Sequence, residues 1–461
     1  MRLVEALQPL YNVLPSIRPP KESQALKTKL YWTAFVLVLY YIMGRIQLAG
    51  IDLSKSAGGQ LQGLQVVLAS ELGTLITVGI GPIVLASIIL QLLVGGKFLN
   101  INLQDPKDRV MFQALQKVLA IILAFVEGFI YVSAGLIVPL PGMMLFTVLQ
   151  IALGSIFLLY MDEIISKYGI GSGISLFIAA NVGASFFWQI FMPPAVSLIQ
   201  PSGGILFQFI ESLGTGINFL ILIPILMAII IFLVIVFAEG MFVNIPIAMG
   251  AKGLGGRYPV KLLYVSNMPV ILAVALFANI RIWALVTEKI PIIGNIFGAI
   301  QWATQSPFNL FGDILLRISG EGIVQGLMVA SPAILQGLVY LGVLIVTCVV
   351  FGKFWVELGG QSTEDVAKQL ENSGMYIPGF RRDERIIKKI LDKYIPVITI
   401  LGSIFVGLLA GIGDMALGGL SSGTGILLAV GIVYRLYEEI AKQQVMGNSA
   451  LLSKLMGKQK A

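Results

Sequence analysis

Ten long apolar stretches, centred near residues 38, 83, 124, 154, 180, 228, 274, 338, 403 and 430, leave this chain of 461 residues few folds to adopt. A bilayer core of roughly 30 Å is crossed by about 20 apolar residues of helix. In lipid, a chain that is not a closed barrel satisfies its backbone polar groups only as helices. The pattern predicts an all-α membrane protein whose function concerns something in, on or across the membrane. Charged residues make up 12% of the chain, against roughly a quarter in a soluble domain.

The predicted spans run at about 29–47, 75–94, 110–135, 144–165, 172–191, 218–238, 264–287, 329–352, 395–412 and 421–438. The N-terminal segment, the even-numbered loops and the C-terminal tail hold 26 of the 31 Lys and Arg residues. The odd-numbered loops hold Arg45, Lys55, Arg281, Lys289 and Arg317. The positive-inside rule then places both termini in the cytosol, as an even number of spans requires. Five helices are an odd number, so residues 218–440 are inverted relative to 29–217, which predicts two inverted five-helix halves. Residues 1–28 read as an amphipathic segment on the cytosolic surface and 441–461 as a cytosolic tail.

Several chemistries are excluded early. The chain has no histidine and one cysteine, Cys348, which removes His-based acid–base catalysis and internal disulfides. No P-loop is present, so no ATPase motor is built in. Glu127 is the ionisable group lying well inside a span, with Lys117, Asp162, Glu163 and Glu239 nearer the cytosolic ends. An ion-coupled secondary transporter of a small solute, built on the inverted repeat and Glu127, is the alternative function, but one buried carboxylate is thin support for it. Packing of that carboxylate between helices is the simpler reading.

Glycines cluster at 79–82 (GIGP), 169–173 (GIGSG) and 418–425 (GGLSSGTG). None sits in a strand–turn–helix setting that would cradle phosphate, and close helix packing explains most such glycines in membranes. The second and third clusters open spans five and ten and are followed by aliphatic residues, an arrangement that brings apolar side chains to one central point. Two basic connections stand out, 241–265 with Lys252, Arg257 and Lys261, and 353–394 with Arg381, Arg382, Arg385, Lys388, Lys389 and Lys393. Lipid head groups account for some of this charge. The density of the second cluster fits a phosphate-rich partner such as ribosomal RNA.

The segments TLITVGIGPIVLASIILQLL (74–93) and YMDEIISKYGIGSGISLF (160–177) resemble the two signatures of the SecY family, the central subunit of the protein translocon. The shorter matches YVSN (264–267), FWVE (354–357) and GFR (379–381) fall in step with them, and the wording is closest to the archaeal and eukaryotic branch. The resemblance implies a clamshell of two inverted halves around a central hourglass pore, sealed by a partial plug helix. It implies passive conduction of unfolded polypeptide, with signal sequences leaving sideways between spans 2–3 and 7–8. Carried onto this sequence, the pore ring is Ile80, Val84, Ile174, Ile178, Ile271 and Leu427. The plug falls at about 61–71, with Leu61, Leu64, Val66, Val67 and Leu68 as its apolar positions. Asn267 falls at the lateral gate, Arg109 and Glu357 form a cytosolic ion pair, and the basic loops contact the ribosome or other partners. The family further implies single-span subunits of the SecE and Sec-beta kinds, no cofactor and no catalysis. The membrane would be the cell membrane, or the endoplasmic reticulum in a eukaryote.

Overall fold

The computed structural model describes residues 15, 17–20, 24–52, 68–95, 98–99, 101, 105–194, 203–215, 219–249, 254–265, 267–287, 290–307, 310–372, 375–376, 384–417 and 422–457. A helix stands at each of the ten predicted spans. These are α1 (Leu26–Arg45), α2 (Gly81–Gly95), α3 (Pro106–Ser133), α4 (Met144–Tyr168) and α5 (Gly173–Phe191) in the first half. In the second half they are α7 (Ile223–Glu239), α8 (Met268–Thr287), α11 (Ile323–Leu358), α13 (Glu384–Ala416) and α14 (Gly423–Gly457). Among the described residues, seven helical segments meet a length and hydropathy standard for crossing a membrane; α1, α2 and α14 fall outside it. Two connections predicted as loops carry three helices, α6 (Ile205–Thr215) in one and α9 (Pro291–Thr304) with α10 (Leu310–Glu321) in the other.

Burial separates central from peripheral helices. The most apolar stretch of α8 is 61% buried inside the protein, while that of α7 is 17% buried. Phe232, Leu233 and Phe237 of α7 point outward, exposed, as residues facing lipid do, because acyl chains are as apolar as they are. The halves meet where α8 and α11 pack on α2, and where α14 packs on α5 and α1.

The helical fold stands as expected, with one small sheet added to it. Residues predicted as a basic loop form a hairpin, β1 (Phe242–Met249) and β2 (Leu254–Lys261), paired antiparallel from Phe242↔Lys261 to Met249↔Leu254. A short third strand, β3 (Met375–Tyr376), comes from the other basic connection and pairs with Ala248 and Met249. Pro246 and Pro259 fit because β3 leaves that stretch of β1 unpaired on its far side and β2 is an edge. Val260 packs with Val356, Leu370, Leu391 and Ile395 in a cluster of its own, with the helix α12 (Thr363–Asn372) beside it. The two basic segments are therefore one folded unit.

One correction concerns span two. It was expected to be continuous from Leu75, but its helix begins at Gly81, and Leu75–Ile80 run as turns. Gly79 has φ 61°, and a Cβ there would stand 2.3 Å from the Leu68 carbonyl oxygen, so only glycine fits. Pro82 then suits the first helical turn, where its missing N–H costs nothing.

One end of the bundle gathers the basic features. Lys117 Nζ and Lys167 Nζ both pair with Glu163, at 2.8 and 2.7 Å. The same residues hold the N-terminal segment: Lys117 donates to Pro15 O at 2.7 Å, Ile17 N donates to Glu163, and Tyr168 Oη donates to Arg18 O at 2.8 Å. Lys261 joins the hairpin to α14 through Glu438 at 2.6 Å and lies 5.0 Å from the centre of the Tyr434 ring.

Candidate pore ring and gate

Each predicted ring residue lies at or near the start of its helix. Ile80 precedes Gly81 of α2 and Val84 is in its first turn; Ile174 and Ile178 open α5; Ile271 opens α8; Leu427 opens α14. Four helices thus contribute to one place, two from each half. Ile80, Val84, Ile178, Ile271 and Leu427 belong to one buried cluster, and Ile174 packs against it half-buried. Side chains of this kind form a seal without specific hydrogen bonds, and a narrow apolar constriction resists water and ions by dewetting.

A cavity of about 380 Å³ opens on this cluster. Val84, Ile174 and Ile271 form its apolar part, while Ser87, Gln91, Gln116 and Ser175 supply polar walls. Arg109, Trp355 and Gly359 also line it. The predicted Arg109–Glu357 ion pair is absent among the described residues: Arg109 faces the cavity beside the neighbours of Glu357 rather than meeting its carboxylate.

Leu61, Leu64, Val66 and Val67 lie outside the described residues. The end of the plug segment that is described, Leu68–Ser70, is not helical. Leu68, Ala69 and Ser70 are buried. Leu68 O accepts from the Ile80 N–H at 3.0 Å, and Ala69 O accepts from Tyr40 Oη at 3.1 Å. The segment is tied to the first ring residue itself.

Asn267 is buried, but its Nδ2 donates to Leu427 O on α14 at 3.3 Å. A Cβ on Gly431 of α14 would stand 1.9 Å from that nitrogen. This is a contact within the second half, so the amide does not bridge toward spans two and three. The residue that sequence reading passed over is Asn279. It is buried, its Nδ2 donates to Ala275 O on its own helix at 2.9 Å, and its Oδ1, like that of Asn267, has no hydrogen-bond partner among the described residues. One turn further, Ile282 packs with Tyr131 and Val132 of α3 and with Val78 just before α2. Residues three apart share a helix face, so Asn279 is the span-seven amide placed at that seam. A second amide, twelve residues on in the same apolar run, was the available signal. Glu127 of α3 is buried too, and a Cβ on Gly81 would stand 2.9 Å from its Oε2. That places the carboxylate at the start of α2.

Of the predicted partner-binding bases, Lys252, Arg381 and Arg382 lie outside the described residues. Arg257 is in β2 opposite Pro246. Arg385, Lys388 and Lys389 ride on the first turns of α13, where Lys388 meets Glu364 at 3.1 Å. Lys261 is committed to Glu438.

Comparison with known proteins agrees with this geometry. The SecY family profile matches residues 74–437. The protein translocase subunit SecY of Methanocaldococcus jannaschii is 42% identical, over 99% of this chain and 100% of its own length. Among solved structures, a protein-conducting channel is similar with a TM-score of 0.80 and 42% identity, covering 95% of this chain and 97% of that one. Sec61 in the canine ribosome-channel complex from the endoplasmic reticulum is similar with a TM-score of 0.77 and 41% identity, over the same shares of the two chains. The ring at the starts of four helices, the inverted order of spans and these full-length likenesses lead to one assignment: the chain is a multi-pass membrane protein that belongs to the SecY family.

Proposed function

We propose that this chain is the channel-forming subunit of a SecY-type translocon, conducting unfolded polypeptides across the membrane and releasing apolar segments sideways into lipid. The observation that carries the reading is the convergence of four helices, two from each half, on six aliphatic residues beside a polar-walled cavity. Ile80, Val84, Ile174, Ile178, Ile271 and Leu427 close around the passing chain, and residues 61–71 plug the closed state. The seam between α8 and α2–α3, with Asn279 and Glu127 at it, is the lateral gate.

Residues 29–217 and 218–440 are the two halves. The charge distribution supports cytosolic termini, with the sheet and α12 facing the cytosol in the cell membrane. Single-span subunits of the SecE and Sec-beta kinds complete the complex, and a ribosome docks on the basic unit through Arg257, Arg381, Arg382 and Lys389. The chain supplies a path and no catalysis; the driving force comes from the partner.

Photocrosslinking tests this. A probe at position 80 or 174 is expected to reach the mature part of a ribosome-stalled chain, and a probe at 279 its signal sequence. Folded, ribosome-bound channels that give no crosslink from any of these positions would refute the conduit and the gate together.

A further inference from the structure

The starts of α5 and α14 each receive a carboxylate from another helix, at α14 in addition to the ordinary cap, in which Ser422 Oγ accepts from the Gly425 N–H at 2.9 Å. Ser172, at the N-cap of α5, makes no side-chain cap bond. Instead Asp162 of α4 reaches across: its Oδ1 accepts from the Ile174 N–H at 2.9 Å and from Ser172 Oγ at 3.3 Å. At the other ring helix, Asp414 of α13 does the same for α14. Its Oδ1 accepts from the Thr424 N–H at 2.9 Å, and its Oδ2 accepts from Thr424 Oγ1 at 2.6 Å and Tyr340 Oη at 2.7 Å.

The two arrangements share one plan, to which the second half adds the Ser422 cap and the Tyr340 bond. In each half the carboxylate comes from the fourth span and holds the first turn of the fifth. Each capped helix begins with a glycine that has no room for a side chain. A Cβ on Gly173 would stand 2.5 Å from Asp162 Cα, and one on Gly423 would stand 2.4 Å from Asp414 N. They also lie at opposite ends of the bundle. The start of α5 abuts the far part of α14, where a Cβ on Gly171 would stand 3.0 Å from Leu436 Cδ2.

We infer that Asp162 and Asp414 are a symmetry-related pair of positioning residues, which fix the height and rotation of Ile174 and Leu427 and so set the seal of the ring. An anionic acceptor on free helical N–H groups is favoured both by the hydrogen bond and by the helix dipole. Ile174 is itself the residue whose N–H Asp162 holds, and Leu427 lies three residues beyond Thr424. When the carboxylate is lost, the N–H it held loses its acceptor, and the first turn loosens with the ring side chain on it. The inference rests on the proposed ring.

The test is halide leak from proteoliposomes holding the complex with its small subunits, expressed per ribosome-binding channel. Asp162→Ala and Asp414→Ala are each expected to raise the leak roughly 10-fold or more, the weight of a charge-assisted hydrogen bond. Asp162→Asn, which keeps the Oδ1 acceptor, is expected to stay within about twofold of the unaltered channel. If the alanine variants do not fold, Thr424→Val and Thr424→Ser carry the test: valine leaks and serine seals. Tight alanine or valine channels beside a leaky Ile174→Asn channel overturn the inference and leave the ring standing. An Asp162→Asn channel as leaky as Asp162→Ala also overturns it. A tight Ile174→Asn channel overturns the ring, and this inference with it.

Discussion

Gly154→Ala is the smallest change expected to disturb the ring from a distance. Gly154 lies in the middle of α4, and a Cβ there would stand 1.7 Å from Leu75 O and 2.7 Å from Leu75 C. A carbon and a carbonyl oxygen approach to about 3.3 Å, so one methyl group must drive the chain and α4 apart by about 1.6 Å. The segment has little freedom to yield. Ser155 Oγ donates to Gly79 O at 2.9 Å, Leu75 N donates to Ile46 O at 3.0 Å, and Ile80 N is held by Leu68 O. The cost is that of overpacking, about 1–3 kcal/mol. The strain falls on Leu75–Ile80 and so on the first ring residue. Gly183→Ala and Gly342→Ala are the controls, because no atom lies within 4 Å of a Cβ at either position. There alanine gains helix propensity, up to about 1 kcal/mol. Unfolding in mixed micelles gives the stability and vesicle leak gives the seal. A Gly154→Ala channel as stable and tight as the two controls would refute the packing of Leu75 on α4 and the rigidity argued for the turn.

Ile80→Asn puts an amide into the buried cluster at about 1–3 kcal/mol and is expected to raise ion leak; a tight, folded channel removes Ile80 from the seal. Arg381→Ala is expected to weaken ribosome binding and to make its salt dependence shallower by a slope of about 1, read by sedimentation across a salt series. Glu364 is held below its ordinary value of 4.5 by hydrogen bonds from Lys388 and Lys368. A lowered carboxylate contributes stability that is full above its unfolded value and lost as pH falls through the folded one. The packing of α12 on α13 is therefore expected to loosen only below about pH 4.5. Glu364→Gln should abolish that dependence in hydrogen exchange over residues 363–372, and a loosening that persists in Glu364→Gln would refute it.

What was legible in the sequence followed the physics of the bilayer. Apolar length alone placed a helix at every span, because lipid leaves the backbone no alternative. Three of the six ring candidates, Ile80, Val84 and Ile174, stand in long signatures shared with a family. Outside the membrane that constraint lapses. The hairpin at 242–261 hides behind two prolines and four glycines, and its register depends on packing against Val356 and Leu391 from distant parts of the chain. Pairwise contacts were the least legible. Asn267 and Asn279 lie in one apolar run, and only the rotation of α8 against its neighbours decides which reaches the seam. Arg109 and Glu357 were assigned to each other by charge, whereas the chain folds Arg109 toward the cavity. Asp414 escaped notice because span nine was ended at residue 412, while the helix runs on to Ala416.

That last omission bears on how such a channel stays closed without an energy source. A seal of aliphatic side chains has no directional bonds, so its precision must come from the helices that carry it. Helix packing in lipid lacks a hydrophobic drive and relies on close contact and modest polar links. The starts of α5 and α14 answer with both. Glycines let the fourth and fifth helices of each half touch backbone to backbone, and a carboxylate then fixes the first turn. The second half adds Tyr340 of α11 to its network, so Asp414 ties spans eight, nine and ten together where Asp162 joins four and five. Opening that moves α11 away must first break the Tyr340–Asp414 bond. Tyr340→Phe removes that bond and leaves both bonds from Thr424 to Asp414 in place. Open time is expected to lengthen in single-channel records while the resting leak stays low. Equal lengthening of open time and resting leak would place Tyr340 with the seal instead of the hinge.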